Sequence, residues 1–474
     1  MDIAKKGSII ADFSQSAGTV NKMLHCSNYM PCISSQNILN FNDAYAKMYF
    51  TAARTHDQAL NNAGQRLVDT HFIFPRFDAD ADDEKNYYFS ATDYLLQNTL
   101  DCGTQIYYRL GTSIEHTLDD HHFNTNKPSD FIQYAKILAG IIRHYNYGWA
   151  DGFKLNIPVW EIWNESDIGK KCWNGTQEEF IDFFCTVLEY LKNEFPAEKI
   201  GGPALCYANK EYLTALLTEC KKRNITPDFV SWHAYWYEPS PLIKVVFEMR
   251  ELLDNMGFTE TKLHLNEWHY LKTWDGILRN VTPENYQNAM FGESGMHGCD
   301  SAAYNAALFI GFHDSPLECS CYYGAGNPRT FGAFGLHDQL GNPDNNYYSM
   351  TMIGEIVHNY SERFKVSGVN DHLWAMPVLN TEKNRGAMLI SDCCGNYDEI
   401  EIELANLPQA KDFRCILLDM EHHDFEIPVE IIGNKLKIRK KMQCSTVFLL
   451  TFMFPLHTPA VAVLQIYQHS KISL

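Results

Sequence analysis

The chain has 474 residues, 45% of them hydrophobic and 20% charged, more than one hydrophobic core usually organises, so a large unit plus at least one smaller domain is expected. Its 39 basic against 58 acidic residues leave a formal charge of −19, which repels nucleic-acid phosphates and anionic membrane surfaces and argues against both as partners. No apolar run reaches the length of a membrane span, because Pro455 and Pro459 break the tail from Phe452 to Tyr467.

The stretch from Met1 to Ala11 lacks the apolar core of a signal peptide, so a cytoplasmic location is expected. The 14 cysteines form no CxxC pairs and read as mostly reduced, buried thiols; neither a metal nor an organic cofactor is expected.

From residue 20 to residue 364, short β-branched or aromatic runs alternate with longer helical segments, the pattern of repeated βα units. The strand candidates are NKMLHCS from Asn21, KMYFTAAR from Lys47, TQIYYRLG from Thr104, IPVWEIWNE from Ile157, KIGGPALC from Lys199, DFVSWHAYW from Asp228, TKLHLNEWH from Thr261 and LECSCYYG from Leu317. Between them lie helices such as KPSDFIQYAKILAGIIRHYNYGW, with Ser129 as its expected cap, and QEEFIDFFCTVLEYLKNEF, with acidic residues in its first turn.

Eight parallel strands, each followed by a helix, suit a (β/α)8 TIM barrel of α/β class over residues 20–364. No GxGxxG opens a helix after the first strand, which disfavours a dinucleotide-binding sheet. Beyond the helix in NNYYSMTMIGEIVHNYSERF, short alternating strands over 365–452 predict a β-sandwich, and GSIIADFS within residues 1–19 is expected to add an edge strand to it. Residues 453–474 fit no strand or helix pattern.

In a βα barrel the C-terminal strand ends converge on one basin. Glu165 ends the fourth strand and Glu267 the seventh, across the barrel mouth from each other. Glycoside hydrolysis needs two facing carboxyl groups, about 5 to 5.5 Å apart for retention and about 6.5 to 9.5 Å for inversion. Both glutamates sit beside indole and amide groups, in Trp163-Asn164-Glu165 and Asn266-Glu267-Trp268. Indoles stack on sugar faces and amides bond hydroxyls.

WNE at strand four and NEW at strand seven resemble the motifs of the large barrel clan of retaining glycosidases, clan A. Within it the chain is similar to glycoside hydrolase family 39, the family of β-xylosidases and α-L-iduronidases, on Arg54-Thr55-His56, WEIWNES, GGPAL and SWHAYW. The resemblance implies Glu165 as acid/base and Glu267 as nucleophile. It also implies Arg54 and His56 beside the nucleophile, Asn164 on the sugar 2-hydroxyl, and His233 and Tyr235 near both carboxylates.

Two departures stand out: Ser166 replaces the usual proline, and Tyr322 or Tyr323 stands where strand eight often supplies a tryptophan platform. Trp236, Trp268, Trp274 and Tyr323 are candidate sugar-binding aromatics. Glu161, four residues before Glu165, reads as a buried structural partner, while Arg109, Glu115 and His116 are candidate pocket residues or ordinary loop polarity. Asp78, Asp80, Asp82 and Asp83 lack the glycine and distal glutamate of a calcium loop and read as solvated; His121 and His122 read as surface residues.

The expectation is a retaining, β-xylosidase-like glycoside hydrolase with a carbohydrate substrate and no metal. The alternative is a catalytically inactive carbohydrate-binding protein on the same barrel. Sugar, linkage and whether the protein forms a homo-oligomer stay open.

Overall fold

The computed structural model describes residues 5–31, 40–56, 66–114, 124–272, 282, 284–326, 334–338, 340–395, 397–407, 409–433 and 435–455. The chain divides into two compact units, one of Lys22–Asn280 with Phe312–Pro343, the other of Met1–Asn21, Val281–Gly311 and Asp344–Leu474.

In chain order, β1 (Lys6–Thr19) belongs to the second unit, and eight strands then form the first: β2 (Cys26–Asn28), β3 (Ala52–Arg54), β4 (Gln105–Leu110), β5 (Val159–Ile162), β6 (Ile200–Leu205), β7 (Phe229–Trp236), β8 (Lys262–Tyr270) and β9 (Cys319–Tyr323). Each is parallel to its neighbours, and β9 returns to β2 in the register Cys26 to Cys321, closing a barrel. All eight expected strands are present. The strands are buried on both faces, which is why they read as continuous rather than alternating apolar runs.

The barrel interior is layered. Cys26, Ala52, Tyr107, Val159, Phe229, Cys319 and Cys321 pack together as one apolar cluster. The buried polar group centred on Glu161 and Arg54 involves the same strands, and Tyr107 links the two by donating from its hydroxyl to Glu161 Oε1 at 3.2 Å.

The helix Phe131–Tyr147 turns Tyr134, Leu138 and Ile141 inward, and its cap is Asp130 rather than Ser129. The helix starts one residue later than the capping pattern suggests, and the Asp130 carboxylate accepts from the amides of Ile132 and Gln133 at 2.9 and 3.0 Å. The helix Gln177–Glu194 opens with a full capping box between Thr176 and Glu179.

In the second unit the remaining strands are β10 (Glu362–Ser367), β11 (Leu373–Asn380), β12 (Arg385–Asp392), β13 (Glu399–Ala405), β14 (Lys411–Leu418), β15 (Phe425–Ile427), β16 (Glu430–Ile432), β17 (Lys435–Arg439) and β18 (Thr446–Met453). With β1 they form a ten-stranded mixed sheet, ordered β15-β14-β18-β12-β11-β10-β1-β13-β17-β16. This sheet forms the β-sandwich. Ile9, Ala11, Phe13, Met388, Ile402, Leu417 and Leu450 share its core.

The N-terminal strand is not an edge strand. It runs antiparallel to β10 and parallel to β13, between the two, because alternate residues Ile9, Ala11 and Phe13 are buried while both backbone edges find partners. The expected tail begins within β18 at Met453, and residues 456–474 lie outside the described residues.

Candidate active site

The fourth barrel strand ends at Ile162, three residues before Glu165, because the backbone turns sharply there. Trp163 has φ 73° and Glu165 φ 47°, left-handed values that bulky residues adopt only when their surroundings impose them. The constraints are visible. Trp163 donates its amide to Leu110 and its indole N–H to the Cys172 carbonyl, each at 2.8 Å, and the Glu165 amide donates to the Ala204 carbonyl at 2.8 Å. Gly111 makes room: a Cβ there would stand 2.7 Å from the Trp163 ring. The turn directs the Glu165 carboxylate to His233, whose Nδ1 lies 2.8 Å from Oε1, with the Cys172 thiol 3.8 Å from Oε2.

Glu267 lies within β8 and is 5% exposed. Asn28 Nδ2 donates to its Oε2 at 3.0 Å, Arg54 Nη1 and His56 Nε2 stand 3.5 and 3.4 Å from the same oxygen, and the Tyr235 hydroxyl donates to Oε1. Burial alone would raise this carboxyl, but the charge of His233, the hydrogen bond and charge of His56 and the charge of Arg54 pull it from 4.5 down to about 2. Burial, followed by the charge of Glu267, pushes the Tyr235 phenol well above its ordinary value, so the phenol stays a donor.

Arg54 organises the floor beneath both glutamates. Fully buried, it reaches Glu161 through Nε at 2.6 Å, Asn164 Oδ1 through Nη2 at 2.8 Å, and Glu267 through Nη1. Burial opposes the guanidinium charge, but Glu161 and then Glu267 more than restore it. Glu161 is itself fully buried and takes further hydrogen bonds from Ser231 at 2.6 Å and from Asn266. The Arg54 bond fixes the Asn164 amide with its oxygen inward, and the buried Asn164 Nδ2 has no partner among the described residues.

An oxygen of Glu165, a ring nitrogen of His233 and an oxygen of Glu267 all lie within 4.8 Å of one another. They border a cavity of about 1050 Å³, whose wall also includes His56, Tyr235, Trp236 and Tyr323. Arg54 and Asn164 approach this cluster through their hydrogen bonds from below. Trp268, expected as a sugar platform, instead packs edge-on against Tyr322 and Phe312, ring centroids 5.2 and 6.3 Å away, and is not part of the cavity wall. Trp274, Glu115, His116, His121 and His122 lie outside the described residues.

Arg109 is buried against Asp69. Asp82 pairs with Arg143 at 3.3 Å, and Asp83 accepts from the Lys85 amide. Sequence reasoning missed Asn28, which stands one residue past the strand read as NKMLHCS, and Phe334, Ile168 and Leu242 of the cavity wall.

The architecture is a closed eight-stranded parallel barrel in which two carboxylates, Glu165 and Glu267, meet beside one cavity. The sequence profile of Glycosyl hydrolases family 39 matches residues 36–257. A β-xylosidase of Geobacillus stearothermophilus is 21% identical over 229 residues, 43% of this chain and 45% of that protein. A β-xylosidase of Caldicellulosiruptor saccharolyticus is 27% identical over 116 residues, 24% of this chain and 22% of that protein. Each match thus spans less than half of the relative.

Among solved structures, a glucosidase from Croceicoccus marinus superimposes with a TM-score of 0.77 at 20% identity, covering 96% of this chain and 100% of that one. A family 39 β-xylosidase from Caulobacter crescentus superimposes with a TM-score of 0.66 at 15% identity, covering 94% and 100%. The chain is thus similar in sequence to family 39 over residues 36–257, and its fold is shared with solved structures that include a family 39 enzyme.

Proposed function

We propose that this chain is a retaining glycoside hydrolase, β-xylosidase-like, with Glu267 as nucleophile and Glu165 as acid/base. The observation that carries the reading is the approach of the two carboxylates. That one oxygen of each lies within 4.8 Å of the other favours the close spacing of carboxyl groups, about 5 to 5.5 Å, used for covalent double displacement over the roughly 6.5 to 9.5 Å that must admit a water between carboxylate and sugar.

In the first step the Glu267 carboxylate attacks the anomeric carbon as Glu165 gives its proton to the departing oxygen. In the second, Glu165 takes a proton from water, and the hydroxide so formed displaces Glu267 from the sugar. Arg54, His56 and Tyr235 keep the nucleophile ionised and aimed. The unpartnered Asn164 Nδ2 is available to a hydroxyl beside the reacting carbon, where a hydrogen bond strengthens as the transition state forms.

The xylosidase assignment is supported by the names of both matched relatives, and the glucosidase among the structural neighbours keeps glucosides in the test. The experiment is turnover of a panel of 4-nitrophenyl glycosides, with proton NMR of the first-formed sugar on the best of them. Retained configuration is the expected result; an inverted product rejects the double displacement, and no turnover of any member leaves a carbohydrate-binding protein.

A further inference from the structure

The cavity is larger than one sugar ring needs, and its two sides differ. At about 1050 Å³ it stands at the top of the roughly 300 to 1,000 Å³ range of pockets that hold drug-sized molecules. Around Glu267 the wall carries the polar groups of His56, Tyr235 and Tyr323, with Phe334 packed against the two tyrosines. Beyond Glu165, over the adjacent strands β5, β6 and β7, it is built from Ile168, Tyr207, Trp236, Pro241, Leu242 and Val245. Three of these are large apolar side chains left open to solvent in this structure: Ile168 is 42%, Tyr207 56% and Trp236 44% exposed. Their positions are fixed by regular elements. Ile168 ends the short turn that begins after Glu165, Trp236 ends β7, and Pro241, Leu242 and Val245 lie in the first two turns of the helix Pro239–Asn255.

We propose that this wall is the leaving-group site, and that its occupant is a non-sugar, apolar aglycone, an alkyl or fused-ring alcohol, rather than a second sugar. This rests on the glycosidase reading, because only there does the group protonated by Glu165 depart on the Glu165 side. A sugar could stack one face on Trp236, and the Tyr207 hydroxyl and Trp236 indole N–H could meet one or two of its hydroxyls, but Ile168, Pro241, Leu242 and Val245 offer the rest neither donor nor acceptor. Each hydroxyl buried without a partner costs about 1 to 3 kcal/mol. An apolar aglycone has no hydroxyls to strand, and covering the exposed isoleucine and aromatic faces contributes instead.

The experiment uses the full chain and one glycone, the best of the aryl panel, attached to methyl, butyl and octyl alcohols and, separately, to a second sugar. These alkyl leaving groups have similar basicity, so differences in kcat/KM report binding of the chain. At about fourfold per buried methylene, covering about three of the added methylenes takes octyl over methyl to about 60-fold, and the octyl glycoside is expected to exceed the disaccharide. Val245→Asn should lower that octyl-to-methyl ratio at least about threefold; as a ratio within one variant, it is blind to a general loss of folded protein. An octyl-to-methyl ratio near one, or a disaccharide preferred over the octyl glycoside, overturns the aglycone assignment while leaving the glycosidase intact. Absence of turnover on every aryl and alkyl glycoside overturns both.

Discussion

The two sides of the barrel mouth hold their carboxylates in opposite ways. Glu267 faces Asn28, Arg54, His56 and Tyr235, contributed by or just beyond β2, β3 and β7, with His233 Nδ1 a further 3.6 Å away. Glu165 has His233 at 2.8 Å and one thiol at 3.8 Å, and beyond it the wall turns aliphatic. Many fixed donors suit a group that must stay anionic and aimed until it bonds carbon. A group that must give a proton in one step and take one in the next is better served by fewer fixed charges. The asymmetry thus supports the proposed division of labour.

The sharpest way to break the comparison is to empty the donor-rich side. Glu267→Gly is expected to lower kcat by about 10⁴-fold or more, with azide restoring turnover of an activated aryl glycoside as a glycosyl azide of opposite configuration. Chromatography and NMR of that product check it. Retention of a tenth of the activity would remove Glu267 from the nucleophile role.

Next in size is the Glu165 side. Glu165→Gln keeps the shape and removes the proton, so alkyl glycosides should lose about 10² to 10⁴-fold in kcat/KM and 2,4-dinitrophenyl glycosides about tenfold or less. Equal losses on the two substrate classes would mean that Glu165 does not protonate the leaving group.

Much of this asymmetry is legible in sequence, and the illegible parts have physical reasons. The eight strands announce themselves because strands buried on both faces must be apolar runs, and WNE and NEW stand out because glutamate beside indole and amide is unusual at such ends. Asn28 escapes because its strand, Cys26–Asn28, is only three residues long and an asparagine at its end reads as a turn. Ile168, Leu242 and Val245 escape for the opposite reason: aliphatic residues on a helical period or beside a strand end read as core, and only the fold reveals that they face a cavity. Trp268 illustrates the same ambiguity from the other side, an indole beside the nucleophile that serves packing. The interior place of β1 leaves no local trace, since its parallel partner β13 pairs Lys6 with Glu399, far away in the chain.

A smaller effect should follow from Arg54→Lys, which keeps the positive charge but loses the planar fork that joins Glu161, Asn164 and Glu267. One ammonium can replace at most part of that geometry in a fully buried site. A loss of about 2 to 3 kcal/mol is expected, read as a lower melting temperature, with kcat/KM down about 10- to 100-fold. Unchanged kcat/KM would show that Glu267 does not depend on the fork.

The smallest expected effect is the absence of one. With its carboxyl held at about 2 against an ordinary 4.5, Glu267 is ionised across the whole range in which a free glutamate would titrate. A carboxyl depressed by folding adds stability that is present above its ordinary value and is lost as pH falls from about 4.5 towards about 2. The kcat/KM per folded molecule on a 2,4-dinitrophenyl glycoside reports only the first step and so leaves out the base role of Glu165. It should therefore change less than about threefold between about pH 6 and about pH 3.5, with the folded fraction followed by tryptophan fluorescence. A one-proton loss centred near about pH 4.5 would show that the donors around Glu267 do not hold its charge in solution, and the contrast between the two sides of the mouth would then be one of shape alone.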